Sequence, residues 1–149
     1  SISTVNSQKY NYFAFMNFYQ QPSIYYGENF TNALYIAGEY LGRTTEEIDA
    51  LWYDIFDRSV AIVESVIDVL EPKAIVITST EVQRYYKAYG SVDQSGARQK
   101  GRYFDDDRII WLDHPGSAWW NRVKKDATIS SKEQFENRLR DIYCINENR

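Results

Sequence analysis

The sequence predicts an α/β domain: three layers, with a central and mainly parallel sheet of few strands and helices on both faces. Two observations carry the expectation. A long run at helical spacing leads directly into a short β-branched run near residue 75, the pattern of strands alternating with helices. A second short apolar run returns near residue 110, after a capped helix and a polar stretch. The chain has 149 residues, 44% hydrophobic and 26% charged, which suits one core rather than two, so a single domain is expected over residues 1–149.

The elements follow in chain order. Tyr10 to Tyr19 is dense in aromatics, which favours a strand at about Tyr12 to Phe18. Gln20 to Phe30, with Pro22 and Gly27, reads as a loop, and a short amphipathic helix runs from Thr31 to Leu41, ended by Gly42. Thr44-Thr45-Glu46-Glu47 has the spacing of a capping box, so a helix starts there. Ile48, Leu51, Trp52, Ile55, Phe56, Ile62, Val63, Val66, Ile67 and Leu70 then fall on one helical face, up to the stop at Glu71-Pro72. Within that helix Trp52, Phe56 and Val63 are expected to be buried, and Glu46, Asp54 and Glu64 exposed.

Ala74 to Thr78 is β-branched and short enough for a strand buried on both sides. Ser79-Thr80-Glu81 caps a following helix with an inner face of Val82, Tyr85, Tyr86 and Tyr89. From Gly90 to Arg108 no apolar period survives, and the segment reads as an exposed loop. Ile109 to Leu112 is the next strand, ending at Asp113-His114-Pro115-Gly116-Ser117. Ser130-Ser131-Lys132-Glu133 forms a second capping box before a last helix marked by Phe135, Leu139, Ile142 and Tyr143.

Composition narrows the function classes. Tyr, at 13, outnumbers Phe and Trp together, so buried area comes with hydrogen-bonding tips. The single Cys144 excludes an internal disulfide and a multi-cysteine zinc site and fits a reducing, cytoplasmic setting. No apolar run approaches the roughly 18 residues of a membrane span, so no membrane partner is expected. A net charge of −4 argues against a general nucleic-acid coat protein, though a local basic face remains compatible with it. The chain opens at Ser1 rather than Met, and the expectation is a domain lacking an N-terminal segment.

The one histidine, His114, follows a strand and precedes Pro-Gly-Ser, where α/β folds gather ligand sites. An imidazole there can donate to a developing anion, or it can simply hydrogen-bond its own turn. Asp105-Asp106-Asp107 fits a solvated acidic loop better than a cation site. Arg84, Lys87, Arg122, Lys124 and Lys125 form either a phosphate-facing rim or a solvated surface.

Two motifs together resemble the uracil-DNA glycosylase superfamily. His114-Pro115-Gly116-Ser117 is similar to its strand-terminal His-Pro-Ser, and Phe15-Met16-Asn17-Phe18-Tyr19-Gln20-Gln21-Pro22 to its strand ending in asparagine before a proline. Between them, the long helix, Glu71-Pro72-Lys73 and the hydrophobic strand resemble the family's helix, Pro-Lys and strand, so the likeness covers most of the chain in order. The resemblance implies a glycosylase-like α/β/α fold that takes a flipped uracil from DNA without metal or cofactor. It implies that Asn17 reads the base edge and His114 stabilises the departing base. Ser79, Ser117, Trp119, Trp120 and Arg122 become candidate nucleic-acid contacts.

The chain departs from that family at three points. Ile2-Ser3-Thr4-Val5-Asn6 does not match the first motif, which positions the attacking water. The stacking aromatic belongs to that same region, with Tyr10 or Phe13 as substitutes. Ala118 stands where the family has its wedge, leaving Trp119 or Trp120 to fill an extruded base's gap. Catalytic turnover is therefore not expected as a matter of course. A non-enzymatic module binding a nucleobase, a nucleic-acid end or a protein, and a plain interaction domain with an aromatic surface, stay open beside the enzyme.

Overall fold

The computed structural model describes residues 14, 16–19 and 29–143. These form α1 (Phe30–Tyr40), α2 (Thr45–Leu70), β1 (Ile75–Ile77), α3 (Thr80–Tyr89), β2 (Ser91–Val92), β3 (Arg98–Gln99), β4 (Ile109–Trp111) and α4 (Ser131–Tyr143). The result is a mixed helix and strand architecture with a small parallel sheet.

Local chemistry sets the helix ends. The Asn29 side chain accepts from the Asn32 N–H at 2.9 Å and opens α1. At α2 the Glu47 N–H donates to Thr44 Oγ1 at 3.2 Å and the Thr44 N–H to Glu47 Oε2 at 3.0 Å, a closed capping box. The same helix stops at Glu71, at φ +44°, because the following Pro72 disfavours the right-handed conformation there. Ser130 and Glu133 form the second reciprocal cap, at 3.2 and 2.8 Å, ahead of α4.

The core sits where α1, α2 and α3 meet. Trp52 stacks on Phe56 at 4.9 Å, and Tyr85 closes on Trp52 at 4.7 Å. Phe56 is fully buried, and the Trp52 indole N–H donates to Thr31 Oγ1 at 2.8 Å, satisfying its one polar atom. Phe18 reaches Phe56 at 5.6 Å, while Tyr19 stacks on Phe30 at 4.4 Å.

Four expectations are corrected. Val63 is only half-buried, and Glu64 is largely covered, with 12% of its side chain exposed. The Tyr86 hydroxyl donates to it at 2.6 Å and the Arg102 N–H at 2.9 Å. The cause is the third correction: the stretch from Gly90 to Arg108 folds back over α2 as a tethered segment, with the antiparallel β2–β3 hairpin inside it. Arg98 makes a bidentate pair with Asp57 at 2.6 and 2.9 Å and lies over the Tyr53 ring at 4.1 Å, and Arg102 reaches Asp68 at 2.7 Å. Charge pairs to the polar side of α2 hold it, and apolar periodicity cannot register them. Finally, β1 is not buried on both sides. Alternate side chains leave a strand on opposite faces, and Val76 is 39% exposed between half-buried Ile75 and Ile77.

β1 and β4 pair in parallel, Ile75 with Ile109 and Ile77 with Trp111, as expected of one sheet. Among the described residues that sheet has two strands. Of the strand expected at Tyr12 to Phe18, residues 12, 13 and 15 lie outside the described residues, and residues 14 and 16–18 form no strand, Phe18 and Tyr19 instead bending into the core. Residues 20–28, in the expected loop, and Cys144 also lie outside. No described helix is long and apolar enough to cross a membrane.

Two substitutions probe this packing. Trp52→Ala should cost about 3 to 5 kcal/mol in chemical denaturation, and a loss under about 1 kcal/mol would place the core elsewhere. Gly101→Ala should cost about 1 to 3 kcal/mol, because an added Cβ would meet the Tyr86 ring at 2.0 Å. An unchanged denaturation midpoint for Gly101→Ala would mean that the segment does not dock on Tyr86.

Candidate functional site

Adjacent parallel strands end at the same edge of a sheet, and in open α/β sheets ligands bind beyond that edge. The Leu112 N–H donates to the Ile77 carbonyl at 3.0 Å, extending the ladder past β4. Gln83, on the first turns of α3, donates from Nε2 to the Ile77 and Leu112 carbonyls at 3.4 and 3.3 Å. The two chain exits are thereby joined, which brings Ser79 and His114 to one edge.

Ser79 caps α3, its Oγ accepting from the Val82 N–H at 3.3 Å. Its hydroxyl hydrogen is left to donate elsewhere. His114 is exposed and opens a turn in which the Ser117 N–H donates to its carbonyl at 2.8 Å. The Gly116 N–H donates to His114 Nδ1 at 3.0 Å. A backbone N–H can only donate, so Nδ1 is the bare nitrogen and Nε2 carries the hydrogen. The ring is thus bonded to its own turn, with Nε2–H left to donate. A Cβ on Gly116 would stand 3.2 Å from Nδ1, so the glycine gives this ring its room.

A clasp closes the loop that carries His114. The Asp113 carboxylate, 10% exposed, accepts from Lys124 Nζ at 2.6 Å and from the Ser131 hydroxyl at 2.9 Å. The Asp113 N–H returns a bond to Ser131 Oγ at 3.0 Å. The Lys124 ammonium, aided by Ser131, holds the Asp113 carboxyl below the usual carboxylate range against the opposing effect of burial. Gln83, Asp113, Lys124 and Ser131 hold this edge and its loop; Gln83 drew no notice in the sequence, and Lys124 was read there only as part of a phosphate-facing rim or a solvated surface. Asp113 beside the histidine and Ser131 in a capping box were visible, but not their pairing.

Beyond the turn, Ser117 Oγ accepts from the Trp119 N–H at 3.1 Å. Trp120 faces inward: its ring packs against Phe135 at 6.0 Å and its carbonyl accepts from the Lys132 N–H at 3.0 Å. Trp119 is 50% exposed, and Arg122 is exposed two residues after Trp120. Ser79, His114, Ser117, Trp119, Trp120 and Arg122 therefore sit on the two exits of one sheet edge and the loop that follows. Asn17 is exposed and immediately precedes Phe18 and Tyr19, whose rings anchor the chain to the helical core rather than to the sheet. Tyr10 and Phe13 lie outside the described residues.

The remaining charged candidates are largely engaged within the protein. Arg84 bonds the Tyr85 hydroxyl at 2.9 Å, and Lys124 belongs to the clasp. Lys100 pairs with Asp105, and Arg108 holds the Asp106 carboxyl down to about 2. Among the described residues no group of histidine, cysteine and carboxylate side chains could hold a metal ion. Comparison with family models, curated proteins and solved structures finds no match to this chain.

The clasp can be tested without any ligand. Lys124→Ala should change global stability by less than about 1 kcal/mol, since the ammonium is half-exposed, yet speed hydrogen exchange at Gly116 and Ser117 several-fold, with Lys124→Arg restoring protection. The folded Asp113 carboxyl is more acidic than the unfolded one, so the clasp is complete above about pH 4 and is lost as pH falls through its lower folded value. Exchange rates indifferent to both the substitution and acid would show that the loop is held by something else.

Proposed function

We propose that this domain binds a nucleobase of the uracil type at the carboxyl edge of β1 and β4, in the manner of a uracil-DNA glycosylase with weak or no turnover. The observation that carries the reading is the bond from the Gly116 N–H to His114 Nδ1, which leaves Nε2–H to donate at that edge. Such a donor suits the carbonyl of a pyrimidine or the anion that forms when a glycosidic bond breaks. Asn17, with an amide that both donates and accepts, would read the Watson–Crick edge and reject cytosine. Neither role calls for a metal or cofactor.

The same reading takes the fold as a three-layer glycosylase-like α/β/α domain. In support, Val76 on β1 and Val69 and Leu70 on α2 stay exposed among the described residues, apolar surfaces of the sort a further layer covers. Turnover is discounted because the carboxylate next to the histidine, Asp113, is committed to Lys124 and Ser131. An unpositioned water forgoes much of the rate gain that orientation supplies. That commitment also favours, as the second reading, a non-enzymatic nucleobase- or nucleic-acid-binding module on this fold.

Fluorescence anisotropy with a uracil-containing oligonucleotide tests the proposal. Wild type should prefer it over a thymine-matched strand. His114→Ala and Asn17→Ala should each weaken that binding by roughly tenfold, the worth of one hydrogen bond of about 1.4 kcal/mol. Excision on a gel should be slight or absent. Robust excision lost in both variants would overturn the non-catalytic view, and no measurable affinity for uracil in any form would sink the nucleobase reading.

A further inference from the structure

We infer that the segment from Gly90 to Arg108 is a charge-latched strap: it releases from α2 as one unit while the helical core stays folded, and its release loosens β4. The strap acts in the same way whatever the sheet edge binds. Its apolar side chains are Val92, Ala97, Tyr103 and Phe104, and Val92 is exposed, so burial alone holds it weakly. Charge supplies the rest. Asp57, Glu64 and Asp68 recur at helical spacing on one face of α2. Arg98 takes the first of them bidentately, at 2.6 and 2.9 Å. Arg102 takes the other two, its N–H and Nε reaching Glu64 at 2.9 and 3.4 Å and its Nη2 reaching Asp68 at 2.7 Å. The Tyr103 hydroxyl donates to Asp68 as well. Lys100 with Asp105 and Arg108 with Asp106 are pairs inside the segment and travel with it, so the latch is the three carboxylates of α2.

Two features make the latch a device rather than one more set of surface pairs. First, strap and core are held by different forces. Trp52, Phe56 and Tyr86 are held by burial, which salt does not weaken, whereas Asp57, Arg102 and Asp68 are partly exposed and open to screening. Segments with few buried apolar contacts open at lower free energy than the core beneath them. Second, the far end of the strap is built into the sheet. The Phe104 ring packs against Trp111 on β4 at 5.0 Å, and the Ile109 N–H donates to the Asp106 carbonyl at 3.0 Å. The Arg108 guanidinium spans from Asp106 at 2.9 Å to the Pro72 carbonyl at 3.2 Å, and the Arg108 carbonyl accepts from the Ile75 N–H at 2.9 Å, beside the first rung of the β1–β4 ladder. Letting go of α2 therefore removes support from β4, and ionic strength sets how firmly that strand is held.

Native-state hydrogen exchange tests the latch on the whole chain. The wild type is compared in about 0.01 M and about 1 M sodium chloride, where the screening length falls from roughly 30 Å to roughly 3 Å. Asp57→Asn and Asp68→Asn are compared with it at low salt, and the wild-type salt series carries the test alone if a variant does not fold. The Gly101, Arg102 and Tyr103 amides, which are bonded to Tyr86 and Glu64, should exchange about fivefold faster in high salt and in each variant. The amides of β4 should quicken by the same factor, while those of α2 around Trp52 and Phe56 change less than about twofold. Strap and α2 amides speeding up together would show that no separate unit exists. Strap amides indifferent to both salt and the substitutions would show that charge is not the latch, and β4 amides unmoved while the strap quickens would overturn the link to the sheet.

Discussion

The parallel pairing of β1 with β4 is the constraint on which the rest of the molecule depends. Three residues on each side are too few to stand alone, since an isolated two-stranded ribbon is marginal in water. The pair is secured from three directions: the Leu112 N–H on the Ile77 carbonyl, Gln83 bridging the two strand exits, and Leu112 itself, which is 2% exposed. Parallel order then puts Ser79 and His114 at the same edge. Were the strands antiparallel, those two residues would leave opposite ends of the sheet.

The second feature is a core that uses tyrosine as both filler and tie. Tyr86 is 3% exposed, and burial, followed by its bond to Glu64, makes its hydroxyl much less acidic than usual. That hydroxyl donates to Glu64 and accepts from the Tyr103 N–H at 3.1 Å, so one side chain joins α2, α3 and the tethered segment after β3. Gly101 fits against the same ring, where any larger residue would collide. A polar segment without an apolar face is thus held by hydrogen bonds to a buried aromatic, at the end of the molecule that leads into β4.

Local signals were the legible part of this fold. The Thr44 and Ser130 capping boxes, the stop at Pro72 and the spacing of Trp52, Phe56 and Ile67 act within a few residues, so reading them needs no knowledge of partners. Val82 and Tyr86 were placed on the inner face of α3 for the same reason. What was not legible depends on distant pairs: Arg98 with Asp57 and Arg102 with Glu64 span 41 and 38 residues, and nothing in either residue announces its partner. Val76 illustrates the opposite error, where an apolar run looks doubly buried although one of its faces stays open. At the candidate site the histidine was legible as a strand-terminal residue. Its tautomer was not, because that follows from the fold of the turn through Gly116.

Since His114 is the chain's one histidine, its ring nitrogens give the most direct view of the central proposal, that the sheet edge offers an Nε2–H donor to a nucleobase. Long-range nitrogen-15 to proton correlation spectra, recorded in alkaline buffer where imidazoles are neutral, distinguish the two tautomers. The account predicts a single Nε2–H tautomer in the free protein and a shift of the Nε2 resonance on titration with a uracil-containing strand. An Nδ1–H ring, or one averaging between tautomers and unmoved by a saturating excess of that strand, would contradict it.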